Sequence, residues 1–260
     1  MSRGWLVAGV LWTALVLLAG AAGGWLWLAS PELHEESTHL AFPPAARIQL
    51  DVDRGQVQLI ASDTREVSVD RRLEWTDGKP SVRESGAAGT VRLSAHCPGE
   101  PTWRAAFTTE CAARYTVRVP REMAIEVTTS LADVQIRGTV AAVTVSTTTG
   151  NVTLTNARGS LTAHTRTGRI TGEDLAASTA EAVTGTGAID LSFGLPPERV
   201  AARTGSGDVR VAVPPGDRYR LLRGVTSGRQ TVGVGQDLAA SRGIAAESAT
   251  GDILLEYTAP

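Results

Sequence analysis

The chain has 260 residues, a formal net charge of −2 and an aromatic content of only 5%. Because the charges are balanced and form neither a basic stripe nor an acidic tail, the composition argues against a nucleic-acid-binding protein. The prevalence of Thr, Val, Ala and Gly favours an all-β protein of short strands and tight corners.

The first 29 residues predict a membrane anchor or a signal peptide. No charged residue interrupts residues 4–30, Trp5 and Trp25 lie near the two ends of this run, and Arg3 precedes it. These features predict one transmembrane helix that crosses the membrane through residues 5–28, with a cytoplasmic amino end. The alternative is cleavage of a signal peptide after the small residues 19–21. Both readings predict that the rest of the chain lies outside the cytoplasm, as a single-pass membrane protein or, after cleavage, as a secreted one.

Two segments follow before the regular part of the sequence. Residues 30–45 are acidic and contain several prolines, which predicts a linker. Residues 46–128 contain short runs of period-two alternation at irregular spacing, which predicts an N-terminal β module. A stack of coils exposes an unpaired strand edge at each end, so this module is expected to act as a cap.

The sequence contains two cysteines, Cys97 and Cys111. Outside the cytoplasm, such a pair is expected to form a disulfide. Two unpaired thiols are the alternative, because sequence spacing does not establish proximity.

Residues 129–260 repeat a short phrase of Ser/Thr-x-Ser/Thr-Gly followed by alternating aliphatic residues. The first four repeat glycines are 18, 19 and 20 residues apart, and the full set is Gly150, Gly168, Gly187, Gly207, Gly228 and Gly251. A period near twenty is typical of stacked coils, each of which buries its apolar face against its neighbours. The segment is therefore predicted to form a parallel β-helix or β-solenoid with turns at these glycines. Right-handed winding is expected from the general preference of parallel connections.

The paired threonines allow two interpretations. Regular Thr-x-Thr rows on a flat outer face could bind ice. However, Thr147 and Thr149 share the parity of Val143 and Val145, so the sequence predicts that the threonines point into the interior with these valines. There their hydroxyls could satisfy backbone groups at a corner.

A second column consists of the residues that follow the repeat glycines, which are Asn151, Arg169, Ala188, Asp208, Arg229 and Asp252. Asp and Asn at these positions could hold calcium between coils. Because Arg and Ala interrupt the column, and because Gly-Asp and Gly-Asn are common turn dipeptides, a structural role is the favoured interpretation.

No catalytic, cofactor-binding or metal-binding residue is predicted. His34 and His39 are one residue too far apart for a metal-binding H-E-x-x-H motif. The acidic residues of the repeats show no spacing that would pair them for catalysis; they are Asp133, Glu173, Asp174, Glu181 and Asp190. Insertions at residues 193–197 and 214–216 follow successive repeat strands and are expected on one edge of the solenoid, where they form a ligand site or are tolerated loops.

Residues 115–120 and 125–127, followed by the Ser/Thr-Gly-Asp/Asn-Val/Ile units, resemble the bacterial putative adhesin family of β-strand repeats, which is also known as a domain of unknown function. The resemblance covers residues 115–257 well and residues 46–114 loosely. Ala132 stands where the family has glycine in its first repeat. The resemblance implies a non-catalytic β-solenoid of the cell envelope, and some relatives are linked to envelope stress responses.

These observations predict a membrane-anchored, extracytoplasmic β-solenoid that acts as an adhesin-like binding or scaffold module. The predicted partner is a component of the cell envelope, either a glycan or a protein. The first alternative is an accessory or sensor protein of an envelope stress response, which would need a partner in the membrane. The second alternative is a glycan-active enzyme, which would need a pair of acids on a grooved face.

Overall fold

The computed structural model describes residues 32–76, 78–99 and 111–258, and every helix or strand assigned in these ranges is a β-strand. The first strands are β1 (His34–Phe42), β2 (Arg47–Ser62), β3 (Val67–Trp75), β4 (Ser81–Ala87), β5 (Thr90–His96), β6 (Cys111–Pro120) and β7 (Ala124–Arg137). The repeat region contains β8 (Val143–Thr149), β9 (Val152–Thr155), β10 (Leu161–Thr167), β11 (Ile170–Leu175), β12 (Thr179–Thr186), β13 (Ile189–Phe193), β14 (Arg199–Ser206) and β15 (Val209–Val213). The last strands are β16 (Arg218–Ser227), β17 (Gln230–Val232), β18 (Gly235–Gln236), β19 (Gly243–Thr250) and β20 (Ile253–Tyr257).

None of the described residues forms a helix that could cross a membrane. The predicted anchor, residues 1–29, lies outside the described ranges.

The chain winds around one interior and forms two faces. We call one winding a rung and the two sides of the interior the front face and the back face. The front face has the strand order β4-β5-β2-β7-β8-β10-β12-β14-β19-β16-β18, and the back face has the order β1-β3-β6-β2-β7-β9-β11-β13-β15-β20-β17. Strands β2 and β7 are long enough to bend and contribute to both faces.

The strands that follow the first four repeat glycines lie parallel to one another. Ile170 of β11, for example, is in register with Val152 of β9 on one side and with Ile189 of β13 on the other. This arrangement confirms the prediction of an all-β fold built on a parallel solenoid sheet. The handedness of the winding stays a prediction.

Alternation of side chains explains why these segments form a two-faced stack. In β8, Val143, Val145 and Thr147 are buried, whereas Thr144 and Ser146 are exposed. The inward residues of all rungs form one continuous core that extends from Ile48 to Leu255. Each rung depends on its neighbours for this burial, as expected of a repeat protein.

The N-terminal part belongs to the same stack. Strand β2 and the pair β5–β6 are rungs, and the predicted boundary between residues 128 and 129 falls within β7. Antiparallel pairing is found among the described residues only at this end, where β4 adds to β5 and where β3 and then β1 add to β6. Part of the predicted linker is therefore strand β1, whose inward residues Leu40 and Phe42 pack against the core.

The order of the rungs departs from the order of the sequence at the other end. The final pair β19–β20 lies between β14–β15 and β16–β17, and it is parallel to both. The chain thus leaves a gap after β15, builds the terminal rung β16–β17, and returns to fill the gap. The degenerate repeat at Gly228 is consequently the last rung of the solenoid.

Candidate functional site

The repeat glycines form a column along one corner, which we call the glycine corner. All six have φ between 140° and 155°, a range that residues with a side chain rarely adopt. A Cβ at Gly187 would overlap the carbonyl oxygen of Gly168 in the adjacent rung, and the other five glycines show the same relation to their neighbours. The corner therefore needs glycine for two reasons, which are backbone conformation and the close approach of successive rungs.

Two positions of this column fall outside the sequence pattern. Gly55 of β2, with φ of 132°, occupies the same corner and was not predicted as a repeat glycine. Ala132 occupies it in β7 and is not among the non-glycine residues with positive φ. The alanine is tolerated because the backbone of this rung turns the corner in a conformation without positive φ.

Inward hydroxyls line the interior side of the corner. Thr184 donates a hydrogen bond of 3.1 Å to the carbonyl oxygen of Gly168, and Thr204 donates one of 2.9 Å to that of Gly187. Thr165 and Ser248 make the same contact one rung lower and one rung higher. These contacts agree with the structural role that the sequence predicted for the first threonine of each pair.

The second residue of each pair does not follow this prediction. Thr149, Thr167 and Ser206 are exposed, so the expectation that they point inward was wrong. Because the chain bends after the first threonine, the period-two alternation ends there. The exposed hydroxyls form a row along the outside of the glycine corner.

The column after the glycines is a ladder of side chain to backbone hydrogen bonds. Asp133 accepts from the N–H of Asn151 at 2.7 Å, and Asn151 accepts from the N–H of Arg169 at 3.0 Å. Asp208 and Asp252 accept in the same way from the next rungs. These oxygens are thus occupied by backbone donors. No group of three or more His, Cys, Asp or Glu residues within the described ranges could hold a metal ion.

The disulfide between Cys97 and Cys111 is present, as predicted, with 6.0 Å between the Cα atoms. It joins the end of β5 to the start of β6, at the corner where the neighbouring rung β2 has Gly55. The disulfide therefore closes this rung at the glycine corner. His96 lies beside the bridge, with its Nδ1 atom 3.2 Å from the carboxylate of Asp53.

The two predicted insertions lie on the edge opposite the glycine corner. Arg242 bridges the first insertion and the residue that follows the second, because it donates to the carbonyl oxygen of Pro196 at 3.0 Å and lies 3.6 Å from the carboxylate of Asp217. Glu198, Ser241 and Arg242 line a small open crevice beside this contact. The buried Tyr219 lies nearby, and burial raises its pKa to about 12.

Several acidic residues of the repeats pair with arginines of adjacent rungs. Arg203 lies between Glu181 and Glu247 of the adjacent rungs on the front face, at 3.7 and 3.3 Å. Arg210 lies between Asp190 and Glu256 on the back face, at 3.7 and 2.6 Å. These pairs alternate in charge along each face, which is the expected pattern of a solvated solenoid surface.

Sequence reasoning missed a polar cluster at the N-terminal end. Arg71 is only 8% exposed, and it binds Glu84 at 2.8 Å and Glu36 at 3.2 Å. The hydroxyl of Tyr115 donates to Glu84, and burial together with this charge raises the pKa of Tyr115 well above its usual value. The cluster joins β1, β3, β4 and β6 and closes the end of the apolar interior. The sequence did carry one sign of this cluster, because Arg71 has the same parity as the inward residues Val67, Val69 and Leu73.

Several solved structures are similar to this chain. A putative cell adhesion protein from Clostridium sporogenes is 11% identical, with a TM-score of 0.38, and the match covers 86% of this chain and 100% of that one. A putative adhesin from Parabacteroides distasonis is 11% identical, with a TM-score of 0.43 and coverage of 85% and 97%. A putative lipid binding protein from the same species is 11% identical, with a TM-score of 0.42 and coverage of 87% and 97%.

No curated protein sequence matches this chain. The sequence profile of the Toastrack DUF4097 family matches residues 45–259, which is most of the chain. The resemblance to a β-strand-repeat domain of unknown function is thereby confirmed, and the chain belongs to the Toastrack DUF4097 family.

Proposed function

We propose that this protein is a membrane-anchored module that displays a rigid β-solenoid outside the cytoplasm and binds or organises a component of the cell envelope. Residues 5–28 supply the anchor in this proposal, and the solenoid supplies the binding surface. The role is non-catalytic. The proposed ligand is a glycan or a protein of the envelope.

The disulfide supports the location. Disulfides form and persist in oxidising compartments and are rare in the cytoplasm. The bridge between Cys97 and Cys111 closes a rung of the stack, so it contributes to the fold. A protein that depends on such a bridge is suited to a place beyond the membrane.

The single observation that carries the binding role is the regular outer surface of the central rungs. On the front face, Thr144 is in register with Thr162, and Ser146 is in register with Thr128 and His164. These side chains point outward and recur at the spacing of the rungs, about 4.8 Å. Outward hydroxyl groups held on a packed sheet lose little conformational entropy on binding, which favours recognition of an extended ligand.

The chemistry of the other polar groups supports a non-catalytic role. The corner threonines and the ladder of Asp and Asn contact the backbone. Glu181 and Asp190 face arginines of the next rung. These acidic side chains therefore act in cohesion between rungs.

Sedimentation with purified cell-wall material tests the proposal. The protein is expected to co-sediment, and the double substitution Thr144→Arg and Thr162→Arg is expected to weaken this by placing bulky charges on the front face. Thr153→Arg and Thr171→Arg, in the corresponding outward positions of the back face, are the matched control. Equal binding by both variants would contradict the assignment to the front face.

Protease accessibility in intact and permeabilised cells tests the location. The solenoid is expected to be cleaved without permeabilisation of the cytoplasmic membrane. Protection until that membrane is opened would refute an extracytoplasmic domain. Crosslinking to a membrane protein in place of the wall would support the accessory role in envelope stress.

A further inference from the structure

The terminal rung β16–β17 leaves part of a sheet edge open. Strand β16 pairs with β19 along residues 220–227, whereas its other side pairs only with the two residues of β18, at Arg218 and Tyr219. Residues 220–227 thus have one neighbouring strand among the described residues. An unpaired edge of this kind is a template for an additional strand.

The direction of the backbone groups shows which of them are free. The N–H of Arg220 donates to Arg242 at the base of β19, whereas the carbonyl oxygen of Tyr219 accepts from Asp237 on the opposite side. Because successive residues of a strand direct their hydrogen-bonding groups to alternate sides, Leu221, Arg223 and Val225 direct theirs to the open edge. The short strand β18 shows that this edge already accepts a parallel strand at its first residues.

The inward positions of this rung change from apolar to polar residues near the glycine corner. Arg223 is in register with Ala246, and Gln230 is in register with Ile253, yet both polar residues are exposed. A further apolar rung would bury the charge of Arg223 without a partner, which is costly. The solenoid therefore ends here, and any strand that adds to the edge must offer polar or acidic groups at this position.

The edge is also strongly basic. Residues 218–232 contain the four arginines Arg218, Arg220, Arg223 and Arg229 and no acidic residue. Arg229 lies 3.9 Å from Asp252, whereas the other three form no ion pair with any described residue. By contrast, arginines of the inner rungs such as Arg203 and Arg210 each lie between two acids.

We propose that the open edge of β16 binds an extended acidic segment of a partner protein by strand addition. The backbone groups of Leu221, Arg223 and Val225 would bond to the added strand, and Arg218, Arg220 and Arg223 would pair with its acidic side chains. Main-chain hydrogen bonds supply affinity and the side chains supply selectivity in this mode of recognition.

A second copy of the chain fits this edge poorly. A two-fold axis would place the arginines of one β16 against those of the other, and like charges directly opposite each other in a sheet are destabilising. An acidic strand has the complementary charge. The proposal goes beyond the binding of envelope material by the front face and does not depend on it.

Fluorescence anisotropy with the full chain in detergent micelles tests the proposal. The probe is a labelled Glu-Val peptide, about eight residues long to match the open edge. Glu and Val alternate so that Glu faces Arg220 on the outer side, and one further Glu replaces the Val that would face Arg223 on the inner side. A Lys-Val peptide of equal length is the charge control. The Glu-Val peptide is expected to bind, and the double substitution Arg220→Glu and Arg223→Glu is expected to weaken binding by about tenfold or more. Arg137→Glu, at an exposed arginine on the back face, is expected to leave binding unchanged.

Two further measurements separate strand addition from simple charge attraction. Val225→Pro keeps all the arginines, removes an N–H that points to the open edge and leaves the bonds to β19 intact, since proline is tolerated at edge positions. This variant is expected to lose binding. A Glu-Val peptide with N-methyl groups at alternate residues is expected to bind poorly to the unaltered protein, which makes the test independent of the folding of the variant.

Two outcomes would overturn the proposal. The first is undiminished binding of the N-methylated peptide, which would mean that the arginines act without strand addition. The second is tight binding of inorganic polyphosphate that displaces the peptide and persists in Val225→Pro, which would assign the edge to an anionic polymer.

Discussion

The substitution Gly187→Ala tests whether the close stacking of rungs, in addition to backbone conformation, requires glycine at the corner. Gly187 has φ of 147°, and a Cβ there would overlap the carbonyl oxygen of Gly168. That oxygen also accepts the hydrogen bond from Thr184 at 3.1 Å. The methyl group can be accommodated only if the two rungs separate locally.

The size of the effect follows from these contacts. Holding alanine in this conformation costs about 1–3 kcal/mol, and loss of the hydrogen bond from Thr184 to the Gly168 carbonyl costs about 1 kcal/mol more. The sum, about 2–4 kcal/mol, is a large part of the roughly 5–15 kcal/mol that stabilises a typical domain. Gly187→Ala is therefore expected to destabilise the protein severely.

Two other glycines separate the cost of the backbone conformation from the cost of the close approach between rungs. Gly216 has φ of 110° but no atom within 4 Å of an added Cβ, so Gly216→Ala carries only the conformational cost. At Gly224 the φ lies outside the positive range and the nearest atom, Cγ of Glu247, is 3.7 Å away. Gly224→Ala is expected to be close to neutral, because alanine also reduces the entropy of the unfolded chain.

Urea unfolding followed by circular dichroism measures all three variants, and hydrogen exchange in β10–β13 locates the change. The expected order of stability is Gly224→Ala, then Gly216→Ala, then Gly187→Ala. If Gly187→Ala were no less stable than Gly216→Ala, the close approach of the rungs would not be what selects glycine, and the reasoning would fail.

Three further predictions follow from the same structure. Removal of residues 243–260 is expected to release the terminal rung as well, because β16 and β17 pair with β19 and β20. Hydrogen exchange should become fast in residues 220–232 and stay slow in β8–β11. Continued protection of residues 220–232 would contradict the observed order of rungs. Thr184→Val is expected to cost about 1 kcal/mol in urea unfolding because it leaves the Gly168 carbonyl without the hydrogen bond from Thr184. Thr147→Val should be neutral or stabilising, because the buried Thr147 hydroxyl has no hydrogen-bond partner among the described residues; equal losses in the two variants would argue against the threonine contacts. Burial raises the pKa of Tyr219 to about 12, whereas the pKa of tyrosine in the unfolded chain is about 10. The contribution of the neutral phenol to stability is therefore complete below about pH 10 and is lost as the pH rises towards 12. Tyr219→Phe should flatten the alkaline fall in stability, and an unchanged pH profile would refute this role.

The sequence predicted the features that depend on local pattern. The glycine corner, the inward direction of Thr147 and the parallel winding all follow from a period near twenty and from alternation within each strand. The family resemblance was carried by the same residues and is confirmed. The errors occurred where the pattern meets a bend, as at Thr149, which is exposed because the chain turns after Thr147.

The residues alone therefore determined the repeating unit and its corner, because each of these is encoded within about one period. Only the tertiary structure decided the order of the rungs. The repeat at Gly251 has the same sequence pattern whether its rung lies at the end of the stack or inside it. Residue Arg223 shows the reason most clearly. Its inward parity is visible in the sequence, but whether an inward arginine is buried or lies at an open end depends on which strand becomes its neighbour.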